Sequence, residues 1–386
     1  MENKQTKIKV ALLINEYFGA VKTGYGGYGF LAKRLVAKYL PSDDLQVDVL
    51  LKTTSRNFGI LAKKHIVDGI NVYEIPKKQW ATKQFLKKQN YDVYLSIEVT
   101  FILPLKLEPD QRKKLLFWIQ DPRPQTDWEE IHTVQLYPEP SYYDQALYDY
   151  IHQLYKQDRV KFISQGYFLN EKAKELYRLN EDVNIQYLPN PIEINKDFNL
   201  NTYEKKDMII FLGRIESVKR GWLFAEIAKQ CPEYEFYMLG QSFHDTAKNA
   251  EIMAKYKDIP NLYFAGHVDG EEKEQFLKDA KILVNTSIHE ALPVSFLEAL
   301  SYGTLLVSNQ NPENLTEKFG VYTGQVLGDG FDAIERYVEG IHFLMKNDEI
   351  RKTLARQGIN YIKEIHNIPK FVKDMREILF DLAGCK

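Results

Sequence analysis

Short apolar segments alternate with helix-like segments along nearly the whole chain, and this alternation limits the possible folds more than any other feature. Strands that alternate with helices pack as parallel sheets with helices on both faces. The sequence therefore predicts an α/β fold with doubly wound parallel sheets. The strand-like segments are "KVALLIN", "QVDVLLK", "VYLSIE", "KLLFWIQ" and "KFISQ" in the first half, and "DMIIFLGR", "YEFYMLG", "NLYFAG", "KILVNTS" and "TLLVSN" in the second.

The chain of 386 residues is too long for one hydrophobic core. Between the two sets of strands lies "YLPNPIEINKDFNLNTYEKKD", which has two prolines, several asparagines and no periodicity. Such a segment is typical of an interdomain linker, and it places the boundary near Ile192. We expect a Rossmann-like domain at residues 1–192, a second at 193–369, and a cleft that receives ligands at the carboxyl ends of the strands.

An amphipathic segment follows Pro369 and predicts a C-terminal helix over residues 370–386. Its apolar side chains form one stripe, so the helix must pack against a core. We expect it to pack back on the first domain. The stripe consists of Phe371, Val372, Met375, Ile378, Leu379 and Leu382.

Composition argues against several classes of protein. No apolar run is long enough to cross a bilayer, and the N-terminal segment lacks the pattern of a signal peptide. The two cysteines, Cys231 and Cys385, are too few for a disulfide framework or a thiolate metal site. The eight histidines show no ligand-like spacing. We therefore expect a cytoplasmic protein.

Positive charge is concentrated in the first part of the chain, where residues 1–114 carry 20 Lys and Arg against 11 Asp and Glu. Pairs such as Lys63-Lys64, Lys77-Lys78 and Lys87-Lys88 could attract an anionic membrane surface or a phosphorylated lipid. We therefore expect peripheral contact with the inner face of a membrane, and no nucleic-acid partner. The alternative is that these lysines only form solvated faces.

The segment "GYGGYG", residues 24–29, spells G-x-G-x-x-G between a strand-like and a helix-like segment. A dinucleotide site needs its first glycine almost directly after the strand and an acidic residue at the end of the next strand. Here eight residues separate the end of the strand-like segment from Gly24, and the next strand ends in Lys52 and Thr53. Both features disfavour a dinucleotide site. Gly26 and Gly27 instead allow a diphosphate to approach a helix N-terminus. The alternative is a plain glycine-rich turn.

Two further clusters place charged side chains after strands. In "FLGRIESVKRG", Arg214 and Lys219 lie five residues apart across a turn and could neutralise two phosphate charges. In "NTSIHEALPVSFLEALSYG", Glu290 precedes a helix and Glu298 lies within it, and both could accept hydrogen bonds from sugar hydroxyls. The alternative for Glu298 is a helix-surface acid, although its apolar neighbours imply that it has a partner.

These segments resemble the retaining GT-B-fold glycosyltransferases of the glycogen synthase and mannosyltransferase group, which are glycosyltransferase family 4-like. The resemblance covers most of the chain and implies two Rossmann-like domains that face a cleft. It also implies transfer of a sugar from a nucleoside-diphosphate sugar, with a UDP-sugar as the expected donor, to a glycan or lipid-linked acceptor in polysaccharide biosynthesis. The matching segments are "GYGGYG", "FLGRIESVKRG", "NLYFAGHVDGEEKEQFLKDAKILVNTS" and "HEALPVSFLEALSYGTLLVSN".

The resemblance further implies roles for individual residues. Arg214 and Lys219 would hold the donor diphosphate, and Glu290 would contact the hydroxyls of the donor sugar. Glu298 would hydrogen-bond the ribose. The remaining donor contacts would come from Gly26 and Gly27 against the diphosphate, His267 and Val268 beside the base, and backbone N–H groups at Leu292, Pro293 and Val294.

One departure from the family's pattern concerns Gln120 and Asp121, because the family often has His-Asp at this place. A catalytic role for Gln120 is therefore in doubt, whereas Asp121 is a catalytic candidate for contact with the acceptor or the sugar. The alternative for Asp121 is an Asp-Pro turn. Two less specific acceptor candidates are Glu98 and the aromatic-rich segment 128–155, whose rings at helical spacing also suit a core.

No two aspartates stand two residues apart, as the Asp-x-Asp motif of a metal-dependent transferase requires. We therefore expect no metal and no cofactor, with Arg214 and Lys219 stabilising the leaving diphosphate. The expected activity is that of a metal-independent retaining hexosyltransferase. Two alternatives stay open, a sugar-nucleotide epimerase or hydrolase on the same scaffold, and a catalytically silent subunit that binds glycans.

Overall fold

A computed structural model describes residues 7–20, 26–52, 59–98, 101–242 and 246–384. The chain divides into two compact units, and helices and strands are numbered along the whole chain. The first unit consists of Met1–Pro122, Asp144–Pro191 and Ile368–Lys386, and the second of Arg123–Tyr143 and Ile192–Asn367.

The first unit is built on a sheet that has eight strands in the described part of the chain, in the order β3-β4-β2-β1-β5-β6-β7-β8. The five strands predicted from the first half of the sequence are all present, and neighbours other than β3 and β4 pair in parallel. The strands are β1 (Ile8–Leu13), β2 (Leu45–Leu51), β3 (Lys63–Val67), β4 (Ile70–Glu74), β5 (Val93–Ile97), β6 (Lys114–Ile119), β7 (Val160–Ser164) and β8 (Ile185–Tyr187).

An antiparallel hairpin of β3 and β4 forms one edge of this sheet and was not among the predicted elements. Its turn is Asp68-Gly69, and both residues have positive φ angles, 51° and 81°. Asp-Gly is the dipeptide that two-residue hairpin turns favour, because both positions need a left-handed backbone. β3 begins with two lysines and contains no apolar run, so the pattern of apolar runs does not predict it.

Helices flank the sheet of the first unit, and the C-terminal helix completes its core. The ring of Phe371 stacks on Trp118 with centroids 5.4 Å apart, and Arg376 binds Asp44 at 2.8 Å. The prediction that this helix packs on the first domain is therefore confirmed. The helices of this unit are α1 (Gly27–Phe30), a π-helical turn (Leu31–Val36), α2 (Ala37–Tyr39), α3 (Gln79–Gln89), α4 (Leu103–Leu107), α6 (Gln145–Lys156), α7 (Asn170–Tyr177) and α15 (Ile368–Leu382).

The second unit is built on a parallel sheet of six strands within the described ranges, in the order β11-β10-β9-β12-β13-β14. Numbered from its own first strand, this is 3-2-1-4-5-6, the order of a Rossmann sheet. The predicted fold of two doubly wound α/β domains is thus confirmed. The strands are β9 (Met208–Leu212), β10 (Glu235–Leu239), β11 (Leu262–Gly266), β12 (Ile282–Asn285), β13 (Leu305–Ser308) and β14 (Gly320–Tyr322).

Helices of the second unit include one contributed by the first half of the sequence. The segment Arg123–Tyr143 lies in this unit because Trp128, Ile131 and Val134 are buried in its core. The expected division at Ile192 is therefore only one of the points at which the chain passes between units. The helices are α5 (Gln125–Ile131), α8 (Gly221–Gln230), α9 (Thr246–Ala254), α10 (Gly270–Asp279), α11 (Val294–Ser301), α12 (Leu315–Lys318), α13 (Ile334–Lys346) and α14 (Asp348–Ile365).

Candidate active site

The order of strands in the second unit predicts where a ligand binds. The strand order reverses between β9 and β12, which are neighbours in the sheet. In doubly wound sheets, ligands bind in the crevice outside the carboxyl ends of the strands at such a reversal. β9 ends at Leu212 and β12 at Asn285, so the segments that carry Arg214, Lys219 and Glu290 begin at this crevice.

Lys219 and Glu290 form an ion pair at this place, although 71 residues separate them in sequence. The Lys219 Nζ lies 2.5 Å from Glu290 Oε1. The same oxygen accepts hydrogen bonds from Ser287 Oγ at 2.6 Å and Asn285 Nδ2 at 3.0 Å. Three donors thus hold one carboxylate in a single orientation. Sequence reasoning missed Asn285 and Ser287, which come directly before Glu290 and carry no charge.

The electrostatic balance keeps Glu290 ionised. Burial raises the pKa of its carboxyl, but the charge of Lys219 and the hydrogen bonds from Lys219, Ser287 and Asn285 outweigh burial and hold the pKa below its usual value. An ammonium group has three N–H donors, so Lys219 keeps donor capacity beyond its bond to Glu290. A fixed carboxylate beside an ammonium can accept from sugar hydroxyls while the ammonium faces an anion.

Arg214 supplies a second positive charge after β9. Its guanidinium Nη1 lies 3.2 Å from Glu216 Oε2, and its side chain is 44% exposed. Glu216 itself is buried. A guanidinium held at one edge and exposed at the other can bind phosphate oxygens without losing its carboxylate partner. The structure therefore leaves Arg214 accessible, as the predicted role requires.

The N-terminus of α11 lies between Glu290 and Glu298 in sequence. Pro293 is its N-cap residue and Val294 its first helical residue, and no side chain caps this end. The predicted N–H contact from Pro293 is wrong, since proline has no backbone N–H. Leu292 and Val294 still carry N–H groups at a helix end that favours anions.

Glu298 has the partner that its apolar surroundings imply. Its Oε1 accepts a hydrogen bond from Lys273 Nζ of α10 at 2.8 Å. Sequence reasoning did not single out Lys273, because the two residues are joined only by the packing of α10 beside α11. The predicted bond from the ribose to Glu298 stays a prediction, and Lys273 would then fix the carboxylate that makes it.

His267 and Val268 directly follow β11, at the edge of the sheet. Val268 is buried. These residues also lie at the carboxyl ends of the strands, two strands away from β9. Their predicted place beside the base stays a prediction.

Arg220 stabilises the backbone around this site, and sequence reasoning did not single it out. It is fully buried, and burial lowers the pKa of its guanidinium to about 10, which leaves it protonated at neutral pH. It donates hydrogen bonds to the carbonyl oxygens of Thr286 at 2.7 Å, Val326 at 3.1 Å and Gly328 at 2.9 Å. The Thr286 hydroxyl in turn donates to the Lys219 carbonyl at 2.8 Å. Arg220 thus joins the segment that leads from β12 to Glu290 to residues 326–328.

The segment Arg123–Tyr143 brings an aromatic group close to Arg214. Tyr142 is 59% exposed, and its ring centroid lies 6.0 Å from that of the buried Trp128. Burial, followed by the charge of Glu139, raises the pKa of Tyr142, and the charge of Arg214 opposes this rise. Among the tyrosines of the aromatic-rich segment, Tyr137 and Tyr148 are buried, so they pack cores as the alternative interpretation states.

The first unit shows what surrounds Gly26. Gly26 is the N-cap of α1, and a Cβ at this position would lie 2.5 Å from Glu16 Oε2. The same carboxylate accepts a hydrogen bond from the Gly29 N–H at 3.3 Å. A carboxylate of the chain itself therefore lies at this helix end, while Gly27 borders open space. The diphosphate role of Gly26 and Gly27 stays a prediction, and Gly24 lies outside the described residues.

Gln120 and Asp121 are held by Glu98, which directly follows β5 and has a left-handed conformation with φ of 52°. Glu98 Oε2 accepts from the backbone N–H groups of both Gln120 and Asp121, at 2.5 Å and 2.8 Å. The Gln120 side chain makes paired amide bonds with Asn190 at 3.0 Å and 3.1 Å. Gln120 is thus a buried structural amide. Asp121 is half-buried and follows the carboxyl end of β6, and its contact with an acceptor stays a prediction.

Glu98 predicts a measurable dependence of stability on pH. Burial raises the pKa of its carboxyl from 4.5 to about 7, against the hydrogen bond from Tyr177. The folded state therefore binds a proton that the unfolded chain loses above pH 4.5, so stability falls as pH rises between these limits. The expected loss is about 3 kcal/mol. Urea unfolding should show that Glu98→Gln is more stable relative to wild type at pH 8 than at pH 5.

The control for this comparison is Glu171→Gln, which removes an exposed carboxylate from α7 in the same unit. This variant should follow the wild-type stability at both pH values. A Glu98→Gln variant whose difference from wild type is the same at pH 5 and pH 8 would show that Glu98 does not carry the linkage.

Residues 193–361 match the family described as "Glycosyl transferases group 1". The chain is 23% identical over 230 residues to an uncharacterized glycosyltransferase of Methanocaldococcus jannaschii, an alignment that covers 58% of this chain and 56% of that relative. The chain thus spans little more than half the length of this relative.

Solved structures are similar over almost the entire chain. A sucrose-phosphate synthase from Thermosynechococcus elongatus has a TM-score of 0.73 at 15% identity, covering 98% of this chain and 100% of that one. Anabaena HepE in complex with UDP-glucose has a TM-score of 0.67 at 12% identity, covering 97% and 100%. The chain therefore has the GT-B fold, and residues 193–361 of its second unit match the Glycosyl transferases group 1 family.

Proposed function

We propose that the protein is a glycosyltransferase that moves a hexosyl unit from a UDP-sugar to a glycan or lipid-linked acceptor, with retention at the anomeric carbon. The observation that carries this proposal is the Lys219–Glu290 pair, fixed by Asn285 and Ser287 at the crevice between β9 and β12. A cation for phosphate and a rigid carboxylate for hydroxyls are the two groups that a nucleotide-sugar needs at its reacting end. Anabaena HepE, a protein of the same fold, has a solved structure in complex with UDP-glucose.

In the proposed reaction the acceptor hydroxyl forms the new bond to the anomeric carbon as the bond from that carbon to the diphosphate oxygen breaks. The hydroxyl proton passes to the departing diphosphate. Lys219 and Arg214 offset the charge that develops on the diphosphate, so a metal ion is not needed in this scheme. Glu290 orients the sugar, Glu298 binds the ribose, and Asp121 remains the candidate for contact with the acceptor.

Product analysis tests this proposal against its two alternatives. The protein is incubated with UDP-sugars in the presence and absence of glycan acceptors, and the anomeric configuration of the product is read by NMR. Acceptor-dependent transfer with retention supports the proposal. Rapid consumption of the donor without acceptor favours the epimerase or hydrolase, and tight donor binding without turnover favours a silent subunit.

A thermal-shift screen of nucleotide sugars identifies the donor, because a ligand at 100 times its Kd adds about 2.7 kcal/mol to the free energy of unfolding.

None of the helices in the described ranges is both long enough and apolar enough to span a bilayer.

We also propose that the first unit touches an anionic membrane through α3 and the segment before β3. Residues 59–90 hold seven lysines and two acids, and one of the acids, Glu74, is buried. Leu61, Ile66 and Trp80 are 80%, 69% and 55% exposed. Trp80, Lys83 and Lys87 share one helical face, since they stand at i, i+3 and i+7. Exposed apolar groups among lysines match the headgroup boundary of an anionic bilayer.

The triple variant Trp80→Ala/Lys83→Glu/Lys87→Glu should bind phosphatidylserine vesicles at least about tenfold more weakly, because each lysine near an anionic surface contributes about 1 kcal/mol. Co-sedimentation measures the binding, with pure phosphatidylcholine vesicles as reference. The control is Lys255→Glu/Lys257→Glu, which reverses two exposed lysines of the second unit. Equal loss in both variants would mean that net charge, and not this surface, governs the binding.

A further inference from the structure

A cavity of about 500 Å³ lies in the second unit at the amino ends of its strands. Lys205 precedes β9 and Lys281 directly precedes β12, and both line the cavity. Arg214, Lys219 and Glu290 follow the carboxyl ends of the same two strands. A five-residue strand is about 16 Å long, so the cavity is separate from the donor crevice. Its volume lies within the usual range of small-molecule sites.

Positive side chains dominate the lining of this cavity. Two acidic residues, Glu204 and Asp348, also line it. Three of the cations lie on the same face of α14, because they stand at positions i, i+1 and i+5 of the helix. The cations are Lys205, Lys281, Arg351, Lys352 and Arg356.

Acids of the chain balance these charges only in part, since Asp207 pairs with Lys281. Asp348 forms ion pairs with both Arg351 and Lys352, and the distance to Lys352 Nζ is 2.6 Å. Lys205 is buried, and its hydrogen bonds to described residues go to neutral oxygens, the carbonyls of residues 277, 278 and 280 and the Thr304 hydroxyl, at 2.8–3.2 Å. Arg356 makes one long bond, 3.4 Å, to the Thr353 hydroxyl. Positive charge is therefore left over where the chain borders the cavity.

Arg351 is the second buried cation of this lining. Its side chain is 8% exposed, and its Nε–H has no hydrogen-bond partner among the residues that the structure describes. Buried donors are nearly always paired in folded proteins. Burial, followed by the charge of Arg351, holds the pKa of Lys205 well below its usual value, and the charge of Asp279 opposes this effect. An anion in the cavity would favour the protonated form of Lys205 and offset the charge of Arg351.

We propose that this cavity binds a phosphomonoester, with phosphate oxygens accepting hydrogen bonds from Arg351 and Arg356 while the phosphate charge offsets Lys205. Guanidinium groups match phosphate oxygens in geometry as well as in charge. The site is independent of the donor crevice, so it holds whether or not the protein transfers a sugar. A small phosphorylated metabolite, and not only inorganic phosphate, fits the volume.

Isothermal titration with inorganic phosphate and with ribose 5-phosphate tests the site, at an ionic strength kept constant with sodium chloride. Arg356→Gln/Lys352→Gln removes two exposed cations of the lining and should weaken binding at least about tenfold. Lys363→Gln, an exposed lysine farther along α14, should bind as wild type does. Lys219→Ala should also retain the binding at temperatures where the variant stays folded, because the changed residue lies in the donor crevice.

Tighter binding of ribose 5-phosphate than of phosphate identifies a metabolite site, and equal binding identifies a site that recognises the phosphate group itself. Both results support the proposal. Unchanged affinity in Arg356→Gln/Lys352→Gln, or loss of binding in Lys219→Ala, would overturn it, since the anion would then occupy another place. The absence of binding by either probe to the wild-type protein would overturn it as well.

Discussion

Replacing Lys219 by alanine is expected to lower the rate of glycosyl transfer about a hundredfold or more, because one donor aimed at a leaving group typically contributes that much. Stability should also fall. Glu290 keeps Ser287 and Asn285 as partners but loses its cation, and an unpaired buried carboxylate is destabilising by about 3 kcal/mol. We expect less than this figure, since Lys219 is 23% exposed. Steady-state kinetics and urea unfolding measure the two effects.

The double variant Lys219→Ala/Glu290→Gln separates the two effects. Removing the carboxylate charge together with its cation should restore most of the stability and none of the activity. Lys229→Ala is the matched control, because Lys229 lies near the C-terminal end of α8, where it contacts Glu226 at 2.8 Å and the Tyr256 ring at 4.8 Å. Full turnover in Lys219→Ala would remove Lys219 from the diphosphate site.

Replacing Arg220 by methionine is expected to destabilise the second unit by about 3–5 kcal/mol. The change keeps the apolar stem but leaves the carbonyl oxygens of Thr286, Val326 and Gly328 buried without their charged donor. Because Thr286 also bonds the Lys219 carbonyl, activity should be lost at temperatures where the wild-type protein still works. Urea unfolding and hydrogen exchange of residues 286–287 and 326–328 measure the effect.

Arg214→Ala is the informative comparison for this prediction. Arg214 and Arg220 belong to the same short segment, but Arg214 is 44% exposed whereas Arg220 is fully buried. Arg214→Ala should therefore reduce turnover with little change in stability, and Arg220→Met should do the reverse at low temperature. If Arg220→Met unfolds at the same urea concentration as wild type, its hydrogen bonds do not hold the site together.

The sequence was sufficient to predict the sheets because buried parallel strands are continuous apolar runs. It also predicted Lys219 and Glu290 as site residues, and these two residues form an ion pair in the structure. Both follow apolar runs, and the loops after parallel strands lie at the same edge of the sheet. The hairpin of β3 and β4 escaped this argument, since an edge strand that starts with Lys63-Lys64 has no apolar run. Its Asp68-Gly69 turn was the available signal.

Other features depend on contacts that spacing cannot predict. Lys273 reaches Glu298 from another helix, and Glu16 fills the space beside Gly26 from the preceding loop. The segment Arg123–Tyr143 lies in the second unit because its apolar residues complete that core, although it stands in the first half of the sequence. The sequence indicates which charged residues lie near the ends of strands, but their partners can be identified only from the packing of the folded chain.

The most direct test of the proposed donor site is a crystal structure of the protein with UDP and, separately, with a UDP-sugar that thermal shift identifies. The diphosphate should lie within hydrogen-bonding distance of Lys219 Nζ and the Arg214 guanidinium, with Glu290 on the sugar hydroxyls and Glu298 on the ribose. A diphosphate bound away from the crevice between β9 and β12, with Lys219 still paired only to Glu290, would contradict the account.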